Sequence, residues 1–192
     1  MCSTTAPLSI TKVLRQPADG QLRRIVDLGC SIGQCTTALK TRHPDADIWG
    51  LDIGLPLLRY AHLRATELGS DVHFQHALAE ATPFEDSSVD AVFAYILFHE
   101  VPQFSFEEIV AEVRRILRPG GTFTVIDAPN GTNFPAPNRM WLAFDAQYNC
   151  EPYSPAFVAS DFKGLLDSQH FEQIEQGPTP TFLSMTTAVK PE

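Results

Sequence analysis

Short apolar runs alternate with amphipathic segments along the first two thirds of the chain. The predicted strands cover residues 25–28, 47–52, 72–76, 89–96 and 122–126, and they are rich in β-branched and aromatic residues. Helical spacing predicts helices near 36–41, from 55 to a stop at Gly69, and from a capping box at Ser105–Glu108 to the turn at 118–121. Strands that alternate with helices predict an α/β domain, with helices on both faces of a mostly parallel sheet.

The pattern changes after Pro129. Eight of the 15 prolines lie at or beyond this point, and seven aromatic residues fall within 134–162. Helices are predicted at 139–148 and 160–167, the second with a cap at Ser160 or Asp161. Strands at 171–175 and 182–189 are joined by a short connection, so they should form an antiparallel hairpin at one edge of a seven-stranded sheet.

Composition fits one folded domain and disfavours two classes of partner. The 192 residues are 44% apolar and 19% charged, with a formal net charge of -9. Residues 1–64 carry 8 basic and 5 acidic side chains, whereas residues 65–192 carry 6 and 18. No basic cluster is longer than two residues, so nucleic acid is not an expected partner. The longest unbroken apolar run, 91–98, is too short to span a membrane.

The start of the chain and the cysteines predict a cytoplasmic protein. Residues 1–7 show no basic flank or hydrophobic run of an export signal. The four cysteines lack the spacing of a disulfide framework or a zinc motif, so reduced thiols are expected. A metal site built from Cys30, Cys35 and a histidine is the alternative, but no ligand pairing supports it, and no metal is predicted.

Two carboxylates stand where an open parallel sheet binds its ligand, beyond the carboxyl ends of the strands. Asp27 closes the first predicted strand, directly before the glycine turn at 29–33, and Asp52 ends the second strand 25 residues later. A pyrophosphate is disfavoured beside Asp27 because like charges repel, and Ser31 breaks the G-x-G-x-x-G pattern. An amine suits Asp27 and ribose hydroxyls suit Asp52, so S-adenosylmethionine fits both. Asp27 could alternatively cap the following helix.

Five segments give the chain a family resemblance. They are residues 26–33 (VDLGCSIG), 51–53 (LDI), 83–90 (PFEDSSVD), 98–102 (FHEVP) and 117–121 (LRPGG). They resemble, in order, the motifs of class I S-adenosylmethionine-dependent methyltransferases, and most closely the ubiquinone/menaquinone-biosynthesis-like small-molecule enzymes (methyltransferase type 11/25). The resemblance implies a Rossmann-like class I methyltransferase fold. It also implies a short N-terminal segment at 1–24, a methyltransferase domain at 25–192 and a substrate-side insertion at 129–170.

The resemblance also implies roles for individual residues. Asp27 and the turn around Gly29, Cys30 and Gly33 would hold the methionine moiety of the cofactor, and Asp52 the ribose. The remaining implied cofactor contacts are Ile53, Leu78, Ala79 and Tyr95. Two positions depart from the family pattern: Ser31 replaces the middle glycine, and Leu78 replaces a usual aspartate. The short N-terminal segment leaves open whether a second copy covers the cofactor in a homodimer.

The methyl acceptor should lie on the other side of the cofactor, against the aromatic segment. Trp141, Phe144 and Tyr148 share a helix face at their spacing, which either lines the acceptor pocket or packs on the sheet. His99 follows the fourth strand and is the candidate general base, its ordinary alternative being a capping or solvated histidine. Asp127, at the end of the fifth strand, is a further candidate for substrate contact.

The functional prediction is transfer of a methyl group from S-adenosylmethionine to a small molecule by in-line displacement. The sulfonium methyl is already activated, so the protein has to place the acceptor and exclude water. The alternatives are a cofactor-binding module without catalysis and, less favoured by the glycine pattern, a nicotinamide oxidoreductase.

Overall fold

The computed structural model describes residues 14–131, 140, 144 and 146–192 of the chain. The described residues contain the seven predicted strands, and all of them join one sheet. The strands are β1 (Arg24–Leu28), β2 (Asp47–Asp52), β3 (His73–His76), β4 (Val89–Tyr95), β5 (Leu117–Asp127), β6 (Glu172–Pro178) and β7 (Ser184–Val189). The prediction of a seven-stranded sheet is confirmed.

Five helices with assigned bounds accompany the sheet in the described residues. They are α1 (Gln34–Arg42), α2 (Leu55–Glu67), α3 (Ser105–Ile116), α4 (Ser154–Ala159) and α5 (Phe162–Ser168), with a short 3₁₀ helix at Phe98–Glu100. The predicted cap of α5 is confirmed, because the Asp161 side chain accepts a hydrogen bond from the Gly164 amide. None of the described helices combines the length and the apolar character that a membrane span requires.

The predicted capping box of α3 is wrong. Ser105 is the first residue of the helix rather than its cap, and no side chain caps this end. The Ser105 side chain is buried instead, and its amide bonds the Pro102 carbonyl oxygen. The loop before α3 therefore continues directly into the helix through backbone hydrogen bonds, and a capping serine is not needed.

The strand order β3-β2-β1-β4-β5-β7-β6 contains one reversal that matters for ligand binding. β1 pairs in parallel with both β2 and β4. The chain adds β2 and β3 on one side of β1 and then returns to add β4 and β5 on its other side. The crevice of such a sheet opens at this reversal, above the carboxyl ends of β1 and β4. The C-terminal hairpin is antiparallel as predicted, but β7 rather than β6 pairs with β5.

The sheet separates two apolar layers. One buries α3 against the sheet together with Phe98, Phe157 and Phe162, whose rings pack on one another at centroid distances of 4.6–6.0 Å. The other packs Cys35 and Leu39 of α1 against the opposite face. Helices thus cover both faces, as predicted, and the two layers fix the loops that leave β1, β2, β4 and β5.

Candidate functional site

Asp27 is buried at the carboxyl end of β1, with 1% of its surface exposed. The Thr36 hydroxyl, in the first turn of α1, donates to Asp27 Oδ2 at 2.6 Å. Burial raises the pKa of Asp27 to about 7, against the lowering effect of the Thr36 hydrogen bond and with a smaller contribution from the Asp52 charge. Among the described residues no basic side chain pairs with Asp27, so its negative charge is available to a cationic ligand.

The Thr36 contact also bears on the alternative role of Asp27. The Asp27 carboxylate accepts a hydrogen bond from the Thr36 hydroxyl in the first turn of α1. The N-cap residue of that helix, however, is Gly33. The sequence pattern predicted a helix near 36–41 but did not single out Thr36 as a partner of Asp27. The signal that would have indicated Thr36 is a hydroxyl residue in the first helical turn after the glycine turn, because that turn lies next to the carboxyl end of β1.

Asp52 links the loop after β1 to the loop after β2. Its Oδ2 accepts from the Ser31 amide at 2.7 Å, and its Oδ1 accepts from the Gly54 amide at 2.7 Å. Each carboxylate oxygen has two lone pairs, so both can still accept from a ligand hydroxyl. The side chain is half-buried and pairs with no basic residue of the described part of the chain, as a ribose-binding carboxylate requires.

The glycine turn lies directly against the loop that follows β4. A Cβ atom on Gly29 would lie 2.8 Å from Leu97 Cδ1, and one on Gly33 would lie 2.6 Å from Phe74 Cζ. Both glycines also have a positive φ, of 73° and 72°. Ser31, in the place of the middle glycine, takes a positive φ of 50°, and the residue is exposed.

Substitution of Gly33 by alanine is expected to lower the free energy of unfolding by about 2–4 kcal/mol, because a positive φ and a clash with Phe74 act together. Gly69→Ala is the matched control, since Gly69 has a φ of 61° and nothing lies within 4 Å of its added Cβ. Urea unfolding of both variants measures the difference. Equal losses for the two would show that Phe74 does not constrain the turn.

The other predicted cofactor contacts surround the same crevice. Ile53 is 65% exposed beyond β2, and Leu78 and Ala79 lie in the turn after β3, where Leu78 bridges to Ala81. Burial raises the pKa of the Cys30 thiol, which therefore remains protonated. Tyr95 closes β4 and packs at the edge of the apolar layer that contains α1. These positions are near one end of the sheet, as expected, and their roles toward a cofactor stay predictions.

His99 lies beyond β4 on the other side of the reversal, within the 3₁₀ helix. Its Nδ1 is 2.5 Å from Asp127 Oδ1, and Asp127 also accepts from the Phe98 amide at 2.8 Å and the Ala128 amide at 2.6 Å. Asp127 is 1% exposed and lies beneath the histidine, where its carboxylate positions the imidazole ring of His99. The predicted contact of Asp127 with substrate stays a prediction.

Two more carboxylates face the outer nitrogen of His99. Nε2 is 3.6 Å from Glu100 Oε1 and 3.8 Å from Glu151 Oε2. Burial by itself lowers the pKa of His99, but the hydrogen bond that Nδ1 donates to Asp127 and the charges of the three carboxylates outweigh it, so the pKa is raised. The sequence pattern did not predict a role for Glu151, because it lies far along the chain in a segment with no recognisable motif.

The aromatic segment is described in part. Residues 140, 144 and 146–148 are helical, in agreement with the predicted helix, and Trp141 lies outside the described residues. The Phe144 and Tyr148 rings contact each other with centroids 4.6 Å apart, and both side chains are exposed. Both rings leave apolar surface exposed, and their contact with an acceptor stays a prediction.

A family comparison agrees with this arrangement. The model of a methyltransferase domain family matches residues 25–121, which is half of the chain and includes the ends of β1, β2 and β4. The chain belongs to this methyltransferase family. The family resemblance drawn from the sequence motifs is thereby confirmed.

Individual curated relatives are similar to this chain over half of its length or more. A demethylmenaquinone methyltransferase of Thermus thermophilus is 36% identical over 107 residues, 56% of this chain and 48% of the relative. The O-methyltransferase cnsE of Penicillium expansum is 32% identical over 162 residues, 83% and 55% of the two chains. The chain thus spans about half the length of these curated relatives.

The fold comparison extends beyond the matched family region. The crystal structure of phosphoethanolamine N-methyltransferase 2 from Haemonchus contortus, in complex with S-adenosyl-L-methionine, aligns with 98% of this chain at a TM-score of 0.73. The alignment covers 53% of that chain at 16% identity, which shows a shared fold. The Rossmann-like methyltransferase fold predicted from the motifs is confirmed.

Proposed function

We propose that this protein transfers a methyl group from S-adenosylmethionine to a small-molecule acceptor. The observation that carries the proposal is the pair of carboxylates on either side of the glycine turn. Asp27 is buried without a cationic partner among the described residues, and Asp52 is half-buried with its oxygens anchored to the turn. The two carboxylates lie at the crevice of the sheet, where ligands of open α/β folds bind.

The residues present fit S-adenosylmethionine better than a dinucleotide. A carboxylate buried at the position of Asp27 would repel a pyrophosphate, whereas the ammonium group of a methionine moiety would lower its pKa and remove the cost of its burial. Asp52 keeps lone pairs for ribose hydroxyls, and the exposed side chain of Ile53 offers an apolar surface to an adenine ring. When bound, the cofactor supplies an activated methyl group on a cationic sulfur.

Residues on the β4 and β5 side would serve the acceptor. Leu97 lies against Gly29, so the loop that carries His99 adjoins the cofactor turn. Asp127 orients the imidazole by accepting from Nδ1, which leaves Nε2 facing outward as the atom that would accept a proton. The exposed rings of Phe144 and Tyr148 provide apolar surface for the acceptor and help to exclude water.

Calorimetry with S-adenosylmethionine and S-adenosylhomocysteine tests the cofactor, and formation of S-adenosylhomocysteine with a panel of phenols, quinols, amines and fatty acids tests transfer. We expect both ligands to bind, and His99→Gln to reduce turnover of a hydroxyl acceptor about a hundred-fold with unchanged cofactor affinity. His170→Gln, at an exposed histidine that follows α5, is the control. Absence of binding at millimolar ligand would refute the proposal, and binding without turnover across the panel would favour the non-catalytic module.

A further inference from the structure

Three side-chain atoms of the kinds that bind metal ions lie close together beside the crevice. His99 Nε2, a carboxylate oxygen of Glu100 and one of Glu151 all lie within 4.8 Å of one another. The histidine and Glu100 come from the 3₁₀ helix after β4, and Glu151 comes from the segment before α4. The tertiary structure therefore brings together ligands that sequence spacing did not pair, which is why no metal site was predicted.

The imidazole is held in the orientation that metal-bound histidines adopt. Nδ1 donates to Asp127, whose residue surface is only 1% exposed. Two backbone amides also donate hydrogen bonds to this carboxylate and hold it in place. A carboxylate behind the ring fixes the tautomer, so the lone pair is on Nε2, and it increases the basicity of that atom. Nε2 is the atom that faces Glu100 and Glu151.

A divalent cation among these atoms would offset the mutual repulsion of the two carboxylates. Two carboxylates and a nitrogen lone pair at 3.6–3.8 Å repel one another unless a proton or a metal ion is between them. One imidazole nitrogen with two carboxylate oxygens is a donor set typical of divalent zinc, manganese, iron or cobalt. Magnesium and calcium prefer oxygen ligands alone, so they suit this set less well.

We propose that His99, Glu100 and Glu151 bind one divalent transition-metal ion on the acceptor side of the crevice, with Asp127 as the residue that positions His99. The ion would use the Nε2 lone pair, so an occupied site prevents His99 from accepting a proton. Metal occupancy is thus an inhibitory state of the transfer proposed above. Binding of the ion does not depend on that proposed function, and it can be measured without cofactor or acceptor.

Titration of chelator-treated, full-length protein with Co²⁺ tests the site by calorimetry and by visible absorption. We expect one Co²⁺ per chain, with a d–d spectrum, and displacement of Co²⁺ by Zn²⁺ but not by equimolar Mg²⁺. Glu151→Gln and His99→Gln remove ligands, and Asp127→Asn disturbs the ring orientation, so each should weaken Co²⁺ binding about ten-fold or more. Circular dichroism and S-adenosylhomocysteine binding check that the variants remain folded, separately from metal binding.

Two controls identify the ligands. Cys150→Ser removes an exposed thiol next to Glu151 and should leave Co²⁺ binding unchanged, and His170→Gln removes an exposed histidine elsewhere. The proposal is overturned if Co²⁺ does not bind, which would leave a proton as the cation among the three groups. It is equally overturned if binding is lost in Cys150→Ser or persists undiminished in both Glu151→Gln and His99→Gln.

Discussion

Asn in place of Asp27 is expected to weaken S-adenosylhomocysteine binding at least about ten-fold and, at the same time, to stabilise the ligand-free protein above pH 7. Binding weakens because the buried carboxylate that would pair with the ammonium group is lost. Stability increases because the ionised carboxylate has no cationic partner among the described residues, whereas an asparagine avoids the burial of a charge.

The direction of the pH dependence follows from the raised pKa. The pKa of Asp27 is about 7 in the folded protein and near 3.8 in the unfolded chain. Between these values the unfolded chain loses a proton that the folded protein keeps, so this residue makes the protein progressively less stable as the pH rises from about 4 to 7. The full difference, of the order of a few kcal/mol, is reached above pH 7, and it is absent below pH 4.

Urea unfolding at pH 5 and pH 8, with calorimetry at pH 8, measures both effects. Asp71→Asn is the control, because Asp71 is exposed and its substitution should change neither quantity. Wild-type protein should also bind the ligand more weakly at pH 5.5 than at pH 8, since Asp27 must lose its proton to pair with an ammonium group. A variant that binds as tightly as the wild type would remove Asp27 from the cofactor site.

Alanine in place of Asp52 should reduce S-adenosylhomocysteine affinity at least about ten-fold and lower the free energy of unfolding by about 1–3 kcal/mol. The carboxylate accepts from the Ser31 and Gly54 amides, so its removal frees both loops around the ribose position. Asp52→Asn keeps one acceptor oxygen and should fall between alanine and the wild type in both measurements.

A ligand that lacks one ribose hydroxyl distinguishes the loss of a direct contact with ribose from the loss of the hydrogen bonds that hold the two loops. The 2′-deoxy analogue of S-adenosylhomocysteine should bind more weakly than the parent to the wild type, but about equally to Asp52→Ala, because the hydroxyl partner is then absent. Asp45→Ala, at an exposed carboxylate before β2, serves as the control for both affinity and unfolding. Undiminished discrimination between the two ligands in Asp52→Ala would assign ribose recognition to another group.

The strands and helices could be predicted from the sequence because the buried positions of each element produce a regular pattern of apolar residues within a short segment. Val92 and Phe93 of β4 are fully buried on opposite faces, as the continuous apolar run of a central parallel strand indicates. Helix ends were less accessible, and the capping box at Ser105 failed because that serine is buried within the first turn. A side-chain cap is not needed where the backbone of the preceding loop already accepts hydrogen bonds from the first amides of the helix.

The sequence by itself determined the sheet, the glycine turn and the two carboxylates Asp27 and Asp52, because these follow from hydrophobic periodicity and from residues adjacent in the chain. The tertiary structure alone decided which distant groups meet. Thr36 reaches Asp27 across the turn, Asp127 lies beneath His99, and Glu151 faces the same imidazole. Such contacts depend on how helices and loops pack over the strand ends, and spacing along the chain does not encode that packing in any local pattern.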